Sequence, residues 1–282
     1  MPHEPRSPFT LAAGDTLAAA LRNIPLPALE IRILASHTLG LTRVQLITQA
    51  DRSLTDAEAN ALKELVRRRL AGEPIAYIVG QREFFGLPFT VTPAVLIPRP
   101  ETELLVELAL ERLPPNGRVL DLGTGSGAIA VAIAHQRPDA NVTALDASHE
   151  ALEVARGNAE RNHARVSFLH SDWYSALGRE IFDVIVANPP YIEKNDPHLA
   201  QGDLRFEPVD ALTDHADGLS DLATIVAGAG QHLADAGWLL MEHGYDQAQA
   251  VRDLLTKQGF GKVQSWRDLA DIERVSGGCL KT

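Results

Sequence analysis

A glycine-rich segment, DLGTGSG at residues 121–127, has the composition of a loop that binds a nucleotide-like ligand. Glycine permits a tight turn and a close approach of ligand to backbone, and the start of a following helix offers N–H groups without partners. Gly123, Gly125 and Ala128 also fit the dinucleotide pattern G-x-G-x-x-G/A. The segment therefore predicts a nucleotide-containing cofactor without specifying which one. A tight strand-to-helix turn with no ligand is the purely structural alternative.

Acidic and aromatic residues follow the next two predicted strands. Asp146 ends the second strand, where a carboxylate can accept hydrogen bonds from ribose hydroxyls, although it could also be a helix N-cap. Asp172 and Trp173 follow the third strand, which would place an acceptor and an aromatic face beside an adenine ring. Ordinary packing of Trp173 is the alternative.

The tetrapeptide Asn188-Pro189-Pro190-Tyr191 ends the strand FDVIVA. Two prolines cannot continue a strand or a helix, so they hold the backbone in an extended turn. The side-chain oxygen of Asn188 and the carbonyl of Pro189 can accept both hydrogens of a planar NH₂ group, and Tyr191 can cover its flat face. The alternative is a rigid strand exit without chemistry.

Alternating strands and helices must position these residues. After Gly117 the pattern predicts short β-rich segments separated by helices, which implies βαβ crossovers and a parallel sheet. The predicted strands are RVLDLG, NVTALD, VSFLH, FDVIVANPP, WLLMEHG and KVQSWRDL, and the predicted helices cover 126–136, 148–162, 220–234 and 246–257.

The earlier part of the chain has a different pattern. From Leu11 to Leu70 apolar residues recur at helical spacing, and Thr55 with Glu58 forms a capping-box signature. Residues 84–100 contain aromatic and β-branched residues around Gly86-Leu-Pro88, which predicts a hairpin linker before a helix near Glu101. These patterns predict a helical domain at 1–83, a β-hairpin linker at 84–100 and an α/β domain at 101–282.

Composition narrows the class of protein. The 282 residues are 45% hydrophobic and 22% charged, which is typical of a globular protein, and the net charge of −11 disfavours binding to duplex nucleic acid. Cys279 has no disulfide partner, and no apolar segment approaches the roughly 20 residues of a membrane span. No histidines have the helical zinc spacing, so we expect no metal site. A cytoplasmic monomer without membrane contact or a stable nucleic-acid partner is the expectation.

Together, DLGTGSGAIA, Asp146 and NPPY resemble an S-adenosylmethionine-dependent methyltransferase that acts on amino groups attached to planar carbon. The wider segments resemble the release-factor glutamine methyltransferase family (PrmC/HemK). They are AGEPIAYIVGQREFFGLPFTV, LIPRPETELLVE, FEPVDALTDHADGL and MEHGYDQ. The end of the chain reads DLADIERVSGG, where the family pattern is nearer DLAGRDRVVLG, which leaves the last strand's loop open.

The resemblance implies a Rossmann-like, seven-stranded class I methyltransferase domain preceded by a small helical domain that helps engage the protein substrate. It implies methyl transfer to the glutamine of the GGQ sequence in class I peptide chain release factors, with S-adenosyl-L-homocysteine as the product. The implied cofactor-binding residues are Gly123, Thr124, Gly125, Ser126, Gly127, Asp146, Asp172, Trp173 and Asn188. The implied catalytic residues are Asn188, Pro189 and Tyr191, and these with Pro190 bind the substrate. Arg99, Glu101 and Thr102 would lie near the pocket mouth without a role that the sequence assigns.

Three other functions remain open at this point. The same chemistry could act on an exocyclic amino group of adenine or guanine in RNA or DNA. A nicotinamide-dependent oxidoreductase would explain the glycine loop and Asp146, but it would not explain the NPPY segment. A non-catalytic binding module would keep the pocket without turnover.

Overall fold

The computed structural model describes residues 9–281, so residues 1–8 of the predicted helical domain and Thr282 lie outside the described part. Contacts divide the chain after Gly80 into two compact units, Met1–Gly80 and Gln81–Thr282. Each unit is described by itself below. None of the described helices is long and apolar enough to cross a membrane.

The first unit is helical in the part that the structure describes. Its core contains Leu17, Leu34 and Leu62, whose side chains are fully buried. Such spacing of apolar residues buries one face of each helix, as the sequence pattern predicts. The helices are α1 (Leu17–Arg22), α2 (Ala28–Leu39), α3 (Arg43–Thr48), α4 (Asp56–Leu70) and α5 (Ile75–Val79).

The predicted capping box at the start of α4 is confirmed. The Glu58 N–H donates to the Thr55 hydroxyl at 3.3 Å, and the Thr55 N–H donates to the Glu58 carboxylate at 2.9 Å. These bonds satisfy two backbone donors that the first turn leaves free. Leu62 and Val66 face the core, whereas Leu70 is exposed.

The second unit begins with a hairpin of β1 (Gln81–Phe84) and β2 (Leu87–Thr90). Its turn is formed by Phe85 and Gly86, whereas the sequence pattern placed the turn over Gly86-Leu-Pro88. Phe85 and Gly86 have φ of 53° and 76°, and two successive positive φ angles match the twist of a two-residue hairpin. A short 3₁₀ turn at Pro100–Thr102 then leads into a helix.

A seven-stranded sheet forms the body of the second unit, with strand order β5-β4-β3-β6-β7-β9-β8. The strands are β3 (Arg118–Leu122), β4 (Asn141–Asp146), β5 (Val166–His170), β6 (Phe182–Ala187), β7 (Leu233–Glu242), β8 (Gly261–Arg267) and β9 (Glu273–Cys279). The helices are α6 (Glu103–Arg112), α7 (Ala128–Gln136), α8 (His149–Arg161), α9 (Ser220–Ala229) and α10 (Ala248–Lys257). The predicted α/β, Rossmann-like, seven-stranded class is therefore confirmed.

The sheet is mixed, although the sequence pattern predicted parallel crossovers throughout. Strands β3 to β7 pair in parallel, whereas β9 pairs antiparallel with both β7 and β8. Only the short turn 268–272 separates β8 from β9, and such a turn can join antiparallel strands but not parallel ones.

Helices cover both faces of the sheet. Val119 on β3 packs in a cluster with α6 and α7, and the next residue, Leu120, packs in a second cluster with α9 and α10. Successive strand residues point to opposite faces, so one strand contributes to both cores. The resulting three layers hold the carboxyl ends of the parallel strands at one edge.

Candidate active site

A pocket of about 580 Å³ opens at the carboxyl edge of the parallel strands. Ligands of open α/β sheets bind at this edge, and the volume lies within the range of about 300–1,000 Å³ for small-molecule sites. Nine of the predicted site residues line the pocket: Gly123, Thr124, Gly125, Ser126, Asp146, Asp172, Trp173, Asn188 and Pro190. The other three, Gly127, Pro189 and Tyr191, are not among its lining residues.

The loop between β3 and α7 is built from glycines in left-handed conformations. Gly123, Gly125 and Gly127 have φ of 69°, 54° and 81°, which favour glycine over any residue with a Cβ. A Cβ on Gly127 would lie 3.1 Å from the Cβ of Ala155, so the loop also packs tightly against α8. Gly127 therefore shapes the loop from behind, while Gly123 and Gly125 face the pocket.

Asp121 anchors this loop from below. Its fully buried carboxylate accepts hydrogen bonds from the Thr124 hydroxyl at 2.6 Å and from the Ala130 N–H at 3.2 Å, both through Oδ2. Among the described residues Oδ1 has no hydrogen-bond partner, and burial raises the pKa of Asp121 to about 7. Asp121 belongs to the glycine motif in the sequence, but the spacing of that motif predicts no role for its side chain.

Asp146 is tied to the same loop. Its Oδ2 accepts the N–H of Gly125 at 2.8 Å, and its Oδ1 accepts the N–H of Ser148 at 2.9 Å. Burial raises the pKa of Asp146, and the N–H groups of Ser148 and Gly125 oppose that shift. The N-cap of α8 is Ser148 and not Asp146, so the helix-cap alternative is wrong. Each carboxylate oxygen keeps a lone pair for a ligand hydroxyl.

Trp173 provides an apolar wall of the pocket, and Asp172 provides an exposed carboxylate beside it. The Trp173 ring lies 3.6 Å from the position that a Cβ on Gly123 would occupy. Trp173 itself has a positive φ of 42°, an uncommon conformation for a bulky residue. The indole thus lies against the glycine loop, where it can cover one face of a planar ligand ring.

Asn188 presents its amide to the pocket at the end of β6. Its Nδ2 donates a hydrogen bond to the Thr102 hydroxyl at 3.3 Å, and Thr102 is buried and lines the same pocket. Because Nδ2 has a protein partner, Oδ1 is the end of the amide that is available to a ligand. Arg99 also lines the pocket, whereas Glu101 does not.

Tyr191 points toward a buried carboxylate and not toward the pocket surface. Its hydroxyl donates to Oε1 of Glu242, the last residue of β7, at 3.4 Å. Burial raises the pKa of Glu242 to about 7, while the neighbouring Thr102 hydroxyl and the positive charge of Arg274 oppose that rise. Among the described residues Oε2 of Glu242 has no hydrogen-bond partner. Burial also raises the pKa of the Tyr191 hydroxyl, so the phenol stays protonated.

Two further side chains fix the segments around the pocket, and no local sequence pattern predicts either of them. Glu207 is buried and accepts the N–H of Ile97 at 3.0 Å while pairing with the guanidinium of Arg99. Gln247 donates through Nε2 to the carbonyls of Tyr191 at 3.0 Å and Gly218 at 3.1 Å. The quoted segments FEPVDALTDHADGL and MEHGYDQ contain these residues, so the family resemblance was the available signal.

Comparison with known protein families gives two matches within this chain. The family described as methyltransferase small domain matches residues 100–203, and the family described as PrmC N-terminal domain matches residues 13–80. Among solved structures, a methyltransferase from Pyrococcus furiosus aligns with a TM-score of 0.55 at 20% identity. That alignment covers 77% of this chain and 98% of the archaeal chain, and it supports the fold.

Sequence relatives extend over nearly the whole chain. A release factor glutamine methyltransferase from Burkholderia pseudomallei is 58% identical, over 96% of this chain and 98% of the relative. A protein of the same name from Bordetella pertussis is 56% identical, over 90% of this chain and 96% of the relative. At this identity and coverage, the chain belongs to the release factor glutamine methyltransferase family.

Proposed function

We propose that this protein transfers a methyl group from S-adenosyl-L-methionine to the side-chain amide nitrogen of a glutamine in a peptide chain release factor. The target is the glutamine of the GGQ sequence in class I factors. The observation that carries the proposal is the identity of 58% to a release factor glutamine methyltransferase across 96% of the chain. The acceptor geometry of Asn188 at the pocket is compatible with an amide substrate.

The pocket residues fit the cofactor. The glycine loop has no side chains at Gly123 and Gly125, which leaves room for a ligand beside the backbone. The free lone pairs of the Asp146 carboxylate suit ribose hydroxyls, and the Trp173 ring with Asp172 suits an adenine. When bound, S-adenosylmethionine supplies a methyl group that its positively charged sulfur has already activated.

The protein's task is to orient a poor nucleophile. An amide nitrogen shares its lone pair with the carbonyl, so the nitrogen must be held in line with the methyl group. In the proposed mechanism, Oδ1 of Asn188 and the carbonyl of Pro189 accept the two amide hydrogens. These two oxygens also stabilise the positive charge that develops on the nitrogen, and the proton then leaves to water.

The turn that carries these acceptors is held from outside the pocket. Gln247 ties the Tyr191 carbonyl to Gly218, and the Tyr191 hydroxyl is bound to Glu242. Such contacts keep the acceptors at fixed positions before the substrate arrives, which is how preorganisation lowers an activation barrier. Tyr191 therefore supports the turn through its hydroxyl, and its ring is the remaining candidate for contact with the substrate amide.

The test is methyl transfer from labelled S-adenosylmethionine to three acceptors in separate reactions. They are a class I release factor, the same factor with its GGQ glutamine changed to alanine, and total RNA. We expect label in the intact factor alone. Label in RNA would favour the nucleic-acid alternative, and label in the alanine factor would move the target to another residue. No label in any acceptor would favour a binding module.

A further inference from the structure

His243 is a buried titratable residue that the proposed mechanism does not use. It follows Glu242 at the carboxyl end of β7, on the edge of the sheet that carries the pocket, and its side chain is fully buried. Buried polar groups need hydrogen-bond partners. Nδ1 lies 2.8 Å from the carbonyl oxygen of Gly244, and Nε2 lies 2.7 Å from the hydroxyl of Ser276. Both ring nitrogens therefore have a partner in the protein.

The contact with Gly244 determines which ring nitrogen carries the proton. A carbonyl oxygen only accepts hydrogen bonds, so Nδ1 is the donor. Burial lowers the pKa of His243, and the hydrogen bond to Gly244 only partly opposes that shift, so the ring is neutral. In the neutral ring Nε2 has no hydrogen, and it accepts the hydroxyl hydrogen of Ser276.

A series of hydrogen bonds continues from Ser276 across the sheet to α10. Ser265 on β8 lies directly opposite Ser276 on β9, and their hydroxyl oxygens are 2.6 Å apart. The guanidinium of Arg252 on α10 donates to the Ser265 hydroxyl at 2.6 Å. Since the single hydroxyl hydrogen of Ser276 goes to His243, Ser265 donates to Ser276. Every donor in the series therefore points from Arg252 toward His243.

Beyond His243 the hydrogen bonds reach the turn at residues 188–191. The N–H of Gly244 donates to Oε1 of Gln247 at 2.8 Å, which directs Nε2 of Gln247 to the opposite side. Nε2 donates to the carbonyls of Tyr191 at 3.0 Å and Gly218 at 3.1 Å. Gly244 is thus held at its carbonyl by His243, and its N–H orients the side chain that holds the turn.

We propose that His243 is a positioning residue that holds Gly244, so that Gln247 keeps the turn at residues 188–191 in the orientation that methyl transfer needs. This inference rests on the proposed function, because the same turn presents the acceptors for the substrate amide. His243 is not among the residues that line the pocket, so it acts through Gly244 and Gln247. Loss of its Nδ1 donor slows methyl transfer without weakening cofactor binding.

The experiment compares two replacements of His243 that each keep one of its two hydrogen bonds. The amide nitrogen of Asn is bonded to Cγ, as Nδ1 is, so His243→Asn keeps the donor to Gly244. The amide of Gln lies one atom further along the side chain, so His243→Gln keeps the contact with Ser276 and loses the donor. We expect kcat for methyl transfer to a release factor to fall about tenfold in His243→Gln, the effect of losing one oriented hydrogen bond. It should stay within about threefold of wild type in His243→Asn.

Stability and cofactor affinity separate this role from a purely structural one. Each variant loses one buried hydrogen bond, so the melting temperatures of the two variants should fall by similar amounts although their kcat values differ. The dissociation constant for S-adenosylhomocysteine should stay within a few-fold of wild type in both. His163→Gln, at an exposed histidine that follows α8, is the matched control and should keep wild-type kcat.

A double-mutant cycle tests whether His243 acts through Gln247. Gln247→Met keeps the length of the side chain and removes both polar groups, so kcat should fall in this variant as well. Adding His243→Gln to Gln247→Met should cause little further loss, because the connection to the turn is already absent. If the His243 variants fail to fold, the kcat of Gln247→Met decides.

Four results would each overturn the inference: wild-type kcat in His243→Gln, equal kcat losses in the Gln and Asn variants of His243, strictly additive effects in the cycle, or wild-type kcat in Gln247→Met. Absence of transfer by the wild-type protein to the intact release factor counts against the proposed function. An unchanged His243→Gln variant of an active enzyme counts against the positioning role only.

Discussion

The carboxylate of Glu207 accepts a hydrogen bond from the backbone N–H of Ile97 at 3.0 Å. The same carboxylate pairs with the guanidinium of Arg99, so one buried acid holds the segment that precedes α6. Arg99 and Pro208 both line the pocket. This contact fixes two walls of the pocket relative to each other, although they are far apart in the chain.

Replacement of Glu207 by alanine should therefore destabilise the protein. The Ile97 N–H and the Arg99 guanidinium would both lose a buried partner, which costs about 2–4 kcal/mol in the free energy of unfolding. Chemical denaturation of Glu207→Ala and Glu207→Gln measures this. The glutamine variant retains an acceptor for the Ile97 N–H, so its free energy of unfolding should fall less than that of the alanine variant. Equal decreases in the two variants would show that the Ile97 contact contributes nothing to stability.

A pair of Gly→Ala substitutions should shift stability in opposite directions. Gly127→Ala places a Cβ at φ 81° and 3.1 Å from the Ala155 Cβ, which should cost about 1–3 kcal/mol. Gly157→Ala lies within α8 with no atom within 4 Å of the new Cβ and should stabilise by about 0.5–1 kcal/mol. Melting temperatures of both variants test this, and a stable Gly127→Ala protein would contradict the tight loop packing.

Loss of the Asp146 carboxylate should weaken cofactor binding. Asp146→Ala removes the proposed acceptor for ribose hydroxyls and the partner of the Gly125 N–H, so affinity should fall about tenfold or more. Titration calorimetry with S-adenosylhomocysteine measures the change. Asp235→Ala, an exposed residue near the amino end of β7, is the control and should bind like wild type. Unchanged binding by Asp146→Ala would remove this residue from the cofactor site.

Asn188→Ala should separate chemistry from cofactor binding. The variant lacks the side-chain acceptor that orients the substrate amide, so turnover should fall about 10²–10³-fold. The affinity for S-adenosylhomocysteine should stay within a few-fold, because the glycine loop and Asp146 remain. Asn195→Ala, in the exposed loop that follows, is the matched control with normal turnover. Near-normal turnover by Asn188→Ala would refute the proposed mechanism.

Stability should fall as pH rises from about 5 to about 7. Burial raises the pKa of Glu242 to about 7 in the folded protein, from an ordinary value of 4.5. Between these values the folded state holds a proton that the unfolded state has released, so rising pH favours unfolding until both states are ionised. Asp121, with a pKa of about 7 against 3.8, contributes with the same sign.

Melting temperatures of wild type and Glu242→Gln between pH 5 and pH 8 test this dependence. The Gln side chain does not titrate, so the variant should lose less stability across the range, by an amount on the order of 2 kcal/mol. Thr102, Tyr191, Arg274 and Glu101, which act on Glu242, are the same in both proteins. Identical pH profiles would show that Glu242 titrates normally.

Local patterns in the sequence predicted most of the secondary structure. The Thr55 capping box, the strand 141–146 and the helix over 148–162 were read from neighbouring residues and agree with the structure to within a residue or two. The sequence pattern did not predict strand β9. Two successive glycines lie in its interior and a short turn precedes it, so the strand lacks a clear alternating pattern. The capping box, the strand and the helix were predictable because they depend on interactions between residues that are close in the sequence.

The candidate site could be predicted only in its pocket-facing parts. Gly123, Asp146 and Asn188 follow strands whose order is visible in the sequence, and all three line the pocket. The contacts behind the pocket join Glu207 to Ile97 and Tyr191 to Glu242, over separations of 110 and 51 residues. Local sequence patterns do not predict such long-range pairs, because only the sheet topology brings these residues together.

The interior place of β9 has a consequence for how the chain is made. Among the described strands β8 pairs only with β9, and β9 follows it in the chain, so β8 is synthesised before its partner strand. The edge of β7 that pairs with β9 also lacks its partner until β9 has been synthesised. Because β9 ends at Cys279, translation at about 5–20 residues per second separates it from the end of β8 by about 1–2 s and from the end of β7 by about 2–7 s. Completion of the sheet is therefore a late event, set by the arrival of residues 273–279.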